Sequence, residues 1–235
     1  MNEEQAKAWV KDKQNQRKVI NACLKKHKPR KTKVAIFMAG IPGAGKTEFV
    51  RNMKPDLLKD LVIIEHDQLV EYIDGYKPED YYVFRKAGST LVSELFKESL
   101  KQGYSFIFDG TLSHDNGYRN IEKAIKQGYK VAVIYIHQDI KSAWQLTQDR
   151  ELVKKRSIEK AGFINTSRAI NSSLQKIFGA FCKNDGFTMW IIKKNGLPGY
   201  ENSEFILYDN AEMKASKNAI ETVLSEEYNI KELEG

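Results

Sequence analysis

Val34-Ala35-Ile36-Phe37-Met38-Ala39-Gly40-Ile41-Pro42-Gly43-Ala44-Gly45-Lys46-Thr47 is the stretch that decides how the chain reads. Its second half fits the phosphate-binding pattern G-x-x-x-x-G-K-(S/T) at every fixed position. The six apolar residues in front read as a buried strand. Glu48-Phe49-Val50-Arg51-Asn52-Met53 behind it read as the first turns of a helix, which is the context the pattern needs. The glycines let the backbone turn tightly, so that successive N–H groups point at phosphate oxygens. The start of the helix adds its positive end. Lys46 is placed to reach the outer phosphates, and the Thr47 hydroxyl to sit on Mg²⁺. The expected nucleotide-binding residues are therefore Gly40, Ile41, Pro42, Gly43, Ala44, Gly45, Lys46 and Thr47. A chance glycine-rich turn is the competing reading, and a match at every fixed position of an eight-residue pattern, between a strand and a helix, argues against it.

Outward from this loop, apolar runs alternate with helical periodicity. Leu61-Val62-Ile63-Ile64 reads as a strand ending in Glu65-His66-Asp67. A helix is predicted from Glu79 to Lys101, with Ala87, Leu91 and Leu95 four apart and Gly103 as its stop. Tyr104 to Phe108 reads as a strand ending in Asp109-Gly110-Thr111-Leu112. Asp115 is expected to cap a helix through Lys126. Lys130 to Ile136 is a strand, and a helix starts at Asp139. Residues 164–182 read as a helix with Ile170, Leu174, Ile177 and Phe178 on one face. Phe187 to Ile192 and Glu204 to Tyr208 read as late strands, and Ala211 to Leu224 as a last helix. Alternation of this kind predicts an α/β fold: a P-loop NTPase three-layer sandwich with a mostly parallel sheet and helices on both faces. The organisation expected is a basic helical extension over 1–32, a P-loop kinase core over 33–182, and strands and a helix over 183–235 completing the same domain.

The chain has 235 residues and a formal net charge of +7, a balance compatible with phosphate-rich ligands or nucleic acid. Solubility and a basic tail account for most of the excess. The run Lys25-Lys26-His27-Lys28-Pro29-Arg30-Lys31 reads more readily as a solvated linker than as a nucleic-acid patch. Two cysteines, Cys23 and Cys182, are too few for a disulfide framework and lack metal-ligand spacing, which fits a reduced, cytoplasmic setting. Met1-Asn2-Glu3-Glu4-Gln5 does not read as a secretory signal, and no apolar run approaches membrane-spanning length.

In an open parallel sheet, ligands bind at the carboxyl ends of the strands. Three polar clusters fall there: the phosphate loop, His66-Asp67 and Asp109-Gly110-Thr111. Phosphoryl transfer asks for a carboxylate that orients and deprotonates the attacking hydroxyl, and Asp67 is assigned that role. A helix N-cap is the structural alternative. His66, as its neighbour on a strand end, is expected to point to the opposite face, as a partly buried, hydrogen-bonded histidine. Asp109 ends its strand as a Walker B acid does, whose carboxylate holds Mg²⁺ through water. A substrate-binding carboxylate is the competing role, and Thr111 is a weaker candidate for the same work. Arg150, Arg156 and Arg168 supply guanidinium groups that suit the charge on a transferring phosphoryl group. Arg150 and Arg156 are six apart and would not share a face of one straight helix.

Four segments together carry a resemblance: the loop Gly40 to Thr47, the strand end Ile64-Glu65-His66-Asp67-Gln68-Leu69, the segment Phe108-Asp109-Gly110-Thr111-Leu112, and the basic stretch Arg150-Glu151-Leu152-Val153-Lys154-Lys155-Arg156. Across residues 30–180 the chain resembles the zeta toxin family, small P-loop kinases of bacterial toxin–antitoxin systems. The resemblance implies ATP or GTP with Mg²⁺ as phosphoryl donor, and the sugar hydroxyl of a UDP-N-acetyl amino sugar as acceptor. It implies that Lys46 and Thr47 hold phosphates and metal, that Asp67 is the base, and that Arg150 and Arg156 stabilise the transferring group. It also implies an antitoxin partner. The third segment often carries Glu in this family; here it is Asp109, one methylene shorter.

The leading expectation is an ATP-dependent kinase of a small hydroxyl-bearing substrate. A polynucleotide 5′-hydroxyl kinase is the second reading. The charge favours it, but aromatic residues do not interleave with the basic run as single-strand binders prefer. A non-catalytic ATP-binding module that docks a partner through its basic N-terminal segment is the third.

Overall fold

The computed structural model describes residues 1–53, 58–154, 159–194, 196, 199–200, 203–209 and 214–233. Two short helices open the chain, α1 (Glu3–Lys11) and α2 (Lys13–Leu24). Asn2 starts α1 with a reciprocal capping pair to Gln5, and Asp12 starts α2 by accepting from the N–H groups of Gln14 and Asn15. Next come β1 (Val34–Ala39), α3 (Lys46–Asn52), β2 (Val62–Glu65), α4 (His66–Val70), α5 (Tyr81–Gln102) and β3 (Phe106–Asp109). They are followed by α6 (Asp115–Lys126), β4 (Lys130–His137), α7 (Ile140–Lys154), α8 (Lys160–Phe181), β5 (Phe187–Lys193), β6 (Glu204–Asp209) and α9 (Lys214–Ser225).

The strands form one sheet in the order β2-β3-β1-β4-β5-β6. All neighbours are parallel except β5 and β6. Ala35 through Ala39 are all buried, so both faces of central β1 are covered, as an apolar strand without alternation requires. Phe37 from β1, Phe96 from α5 and Phe106 from β3 meet edge to face, with ring centroids 5.5–6.4 Å apart. The outer strands are less covered: Trp190 on β5 and Phe205 on β6 remain exposed.

Helix ends agree with the residues found there. Gly103, at φ 78°, closes α5 by donating to the carbonyls of Ser99 and Leu100. Helix α6 begins at Asp115 with His114 in the cap position, and the Asp115 carboxylate reaches Lys176 on α8 at 2.8 Å instead of capping. Helix α8 starts at Lys160, four residues before the periodicity predicts. Its first turn, Lys160-Ala161-Gly162-Phe163, buries only Phe163, too little for a repeat to show. Helices α1 and α2 pack on α5. Trp9 there donates its indole N–H to Asp74 at 3.0 Å, and Lys86 pairs with Glu3 at 2.9 Å. Among the described residues, no helix is long and apolar enough to cross a membrane.

The order places β1 between β3 and β4, so the crossovers leaving β1 and β3 run in opposite directions. Such a switch opens a crevice at the carboxyl end of the sheet. The register sets Glu65, Asp109 and Met38 side by side along that edge.

Candidate nucleotide and phosphotransfer site

A cavity of about 550 Å³ opens at this crevice, with the phosphate loop as its floor. Three glycines shape the loop: Gly40, Gly43 and Gly45 all have positive φ, at 149°, 75° and 98°. Gly43 also meets α7 closely. A Cβ there would lie 2.0 Å from the Ala143 carbonyl oxygen and 2.6 Å from the Thr147 hydroxyl. Lys46 turns back along the loop and donates to the carbonyls of Gly40, at 2.8 Å, and Ile41, at 3.1 Å. Burial pushes its pKa below the ordinary lysine value, against the pull of Asp109.

Thr47 and Asp109 face each other. The threonine hydroxyl donates to Asp109 Oδ2 at 3.5 Å. Burial raises the Asp109 carboxyl above its usual range, and Lys46 opposes that rise. Asp109 Oδ1 is buried and has no hydrogen-bond partner among the described residues. An acceptor-only oxygen left in that position, beside a threonine hydroxyl and above a phosphate loop, fits a hard divalent cation such as Mg²⁺. No group of three or more His, Cys, Asp or Glu side chains converges as a metal cage among the described residues. Mg²⁺ commonly takes one or two protein oxygens together with substrate phosphates.

Asp67 lies across the cavity, and its Oδ2 accepts from Arg150 Nη2 of α7 at 3.0 Å. His66 and Asp67 do not sit on a strand end with opposed side chains. They are the first two residues of α4, because β2 already ends at Glu65. Helical geometry turns both toward the cavity, with His66 Nδ1 3.8 Å from Asp67 Oδ1. His66 Nε2 also lies 2.9 Å from the Arg85 carbonyl oxygen and its Nδ1 3.3 Å from the Tyr81 hydroxyl, so α5 fixes the ring.

The turn after β3 is tied to the loop. Gly40 N–H donates to the Thr111 carbonyl at 3.4 Å, and the Thr111 hydroxyl lies 2.8 Å from that of Ser113. Leu112 takes φ 54°, a left-handed conformation that costs a branched residue energy. Its side chain packs where a Cβ on Gly117 would come within 2.7 Å, so α6 offers it room.

The structure thus brings Lys46, Thr47, Asp67, Asp109, Thr111 and Arg150 to one cavity. Arg168 is exposed on α8 and does not line it. Arg156 lies outside the described residues. Glu48 and Glu65 also line the cavity, and neither stands out in the sequence as a site residue. Their positions, directly after the motif and two residues before Asp67, are the available signal. Lys194 and Tyr200, which reach the loop from beyond β5, have none.

The zeta toxin family model matches residues 18–211. The chain belongs to the zeta toxin family. No curated protein matches it. Among solved structures, one of the PezAT chromosomal toxin–antitoxin system of Streptococcus pneumoniae is similar, with a TM-score of 0.68 at 18% identity over 94% of this chain and 87% of that one. A structure of the AvrRxo1-ORF1:ORF2 complex with ATP is similar with a TM-score of 0.63 at 14% identity, over 95% of this chain and 70% of that one. At such identities the likeness establishes a shared fold. The family match extends from within α2 to beyond β6, so strands β5 and β6 fall inside it.

Proposed function

We propose that the protein is a kinase that moves the γ-phosphate of ATP, or GTP, to a hydroxyl of a small substrate, with a UDP-N-acetyl amino sugar as the acceptor to which family membership points. The observation that supports this most is the Asp67–Arg150 contact of 3.0 Å in the same cavity as Lys46 and Thr47. It sets a carboxylate and a guanidinium together above the phosphate loop, where a γ-phosphate and an incoming hydroxyl have to meet.

In this scheme the loop N–H groups and the Lys46 ammonium hold the outer phosphates. Lys46 exchanges the Gly40 and Ile41 carbonyls for phosphate oxygens. The acceptor oxygen attacks the γ-phosphorus while Asp67 takes its proton. The new P–O bond forms as the bond from γ-phosphorus to the bridging oxygen breaks, and the nucleoside diphosphate leaves with that electron pair. Arg150 swings from Asp67 to the transferring group and neutralises its charge. Thr47, and Asp109 through a water, would hold Mg²⁺, which when bound neutralises the β- and γ-phosphate oxygens. Thr111 is placed to hold the acceptor beside Asp109. A second clamp by Arg156 rests on its sequence position alone.

An antitoxin is the proposed protein partner, since the similar PezAT structure comes from a toxin–antitoxin system. No specific observation favours a polynucleotide acceptor. The basic run sits at the opposite edge of the sheet, where Arg30 N–H donates to the Gly103 carbonyl at 3.0 Å and its guanidinium pairs with Asp60.

The test is incubation of the purified protein with γ-labelled ATP, Mg²⁺, a panel of sugar nucleotides and a 5′-hydroxyl oligonucleotide. Label on a UDP-N-acetyl amino sugar is expected. Label on the oligonucleotide alone would move the acceptor to the second reading. Nucleotide binding without transfer to any acceptor would overturn the kinase assignment.

A further inference from the structure

An acidic residue stands at the mouth of the phosphate loop. Glu48 follows the Lys46-Thr47 pair directly and lines the cavity. A carboxylate there repels an arriving polyphosphate through a short distance.

The chain counters this from the far end of its sequence. Lys194 follows β5, and its side chain is only 1% exposed, which is rare for a lysine. Its ammonium lies 3.5 Å from Glu48 Oε2 and 4.7 Å above the ring of Tyr200. Tyr200 in turn donates its hydroxyl to the Gly45 carbonyl at 2.7 Å, and its ring meets Phe49 edge-on at 5.6 Å. All three groups crowd one residue of the loop, Gly45. A Cβ on Gly45 would lie 3.1 Å from the Tyr200 hydroxyl, 3.2 Å from the Lys194 ammonium and 3.3 Å from Glu48 Oε2. The segment is anchored behind the loop as well. Lys194 N–H donates to the His137 carbonyl at 2.8 Å, and Gly196 N–H to Gln138 Oε1 at 3.1 Å. Lys194 and Gly196, both tied to the end of β4, and Tyr200 thus bring a buried cation and a phenol onto the phosphate loop.

We infer that Lys194 and Tyr200 are positioning residues for nucleotide binding: Lys194 draws the Glu48 carboxylate aside and neutralises it, and Tyr200 fixes the Gly45 carbonyl so that the N–H groups next to it keep their aim. The inference rests on the reading of the cavity as a nucleotide site. A lysine buried only for packing would be replaceable by methionine, and Glu48 would then be immaterial to ligand affinity.

The experiment is calorimetric titration of the full chain with magnesium ADP, alongside melting curves without nucleotide. Lys194→Met is expected to weaken binding about tenfold by unmasking the carboxylate, and Lys194→Met/Glu48→Gln to bring it back to within about twofold of the wild type. A merely structural lysine would show no such rescue. Glu48 is exposed and its variant should fold in any case. Glu48→Gln alone is expected to tighten binding roughly threefold, because the Lys194 charge is then left for the phosphates. Tyr200→Phe should weaken binding about fivefold, the worth of one hydrogen bond. Unchanged or weaker binding by Glu48→Gln, or a double variant as weak as Lys194→Met, overturns the inference while leaving the nucleotide site standing. No heat from the wild type overturns the site reading and this inference with it.

Discussion

Positive charge gathers at both edges of the parallel strands, and the two gatherings are physically unlike. At the amino edge Lys28, Arg30 and Lys31 are exposed, and the pairing of Arg30 with Asp60 is about half exposed on both sides. At the carboxyl edge the part-buried Lys46 and the buried Lys194 each hold a specific oxygen inside or behind one cavity, and the partly exposed Arg150 reaches Asp67, which is mostly covered. Exposed charges are screened over about 10 Å at ordinary salt, whereas a buried charge costs several kcal/mol unless something offsets it. Counting basic residues therefore misplaces the centre of the molecule's chemistry, and burial with convergent partners locates it.

That contrast is broken or sharpened most strongly at Asp67. Asp67→Asn should lower phosphotransfer by about 10²–10⁴-fold while magnesium nucleotide still binds, since only the proton acceptor is removed. Retained turnover under single-turnover conditions would remove Asp67 from its role. Lys46→Met comes next, with a loss of about 10²–10³-fold in transfer, accompanied by weaker nucleotide binding. If titration showed full nucleotide affinity for this variant, the carboxyl edge would be no more specific than the amino edge.

Asp109 gives a smaller effect with a definite sign. Burial raises its carboxyl pKa in the folded chain above the ordinary 3.8. The unfolded chain therefore gives up this proton more readily than the folded one, and the group costs stability once pH climbs from the unfolded value through the folded one. Asp109→Asn removes that cost. Without nucleotide the variant should melt higher than the wild type at pH 7, and the gap should close as pH falls below about 4. A shift is measurable, because about 1 kcal/mol moves the melting point of a chain this size by 2–4 °C. A lower melting point at pH 7 would mean that the orphaned oxygen has a protein partner after all.

The smallest effect belongs to the amino edge. Lys28→Glu/Lys31→Glu should change stability by no more than about 0.5 kcal/mol, as surface substitutions do. Magnesium ADP should bind it as it binds the wild type. A large loss would make the exposed edge part of the machinery and erase the contrast.

Much of this site is legible in the sequence because its residues sit where apolar runs stop. Thr47, Asp67 and Asp109 each follow a strand that periodicity finds, and topology brings strand ends together. His66 is partly buried and hydrogen-bonded, but it does not stand on a strand end: β2 runs one residue past the apolar Leu61–Ile64, to Glu65, and the chain turns straight into α4. A short helix with so few residues leaves no repeat to detect. The reading failed at Lys194 and Tyr200. The Tyr200–Gly45 contact joins residues 155 positions apart, and no local pattern encodes a partner at that range. Helix α8, by contrast, shows clearly from Ile170 onward, because its apolar positions recur on one face; only its exposed first turn escaped.

Gly43 carries a mechanical consequence. Its α-carbon leaves no space before the Ala143 carbonyl, so a methyl at position 43 would have to shove α7 outward. Arg150 rides the same rod seven residues along, about 10 Å further down its axis. An alanine at this glycine would act as a crowbar under that rod, prising the guanidinium off Asp67 without touching either group.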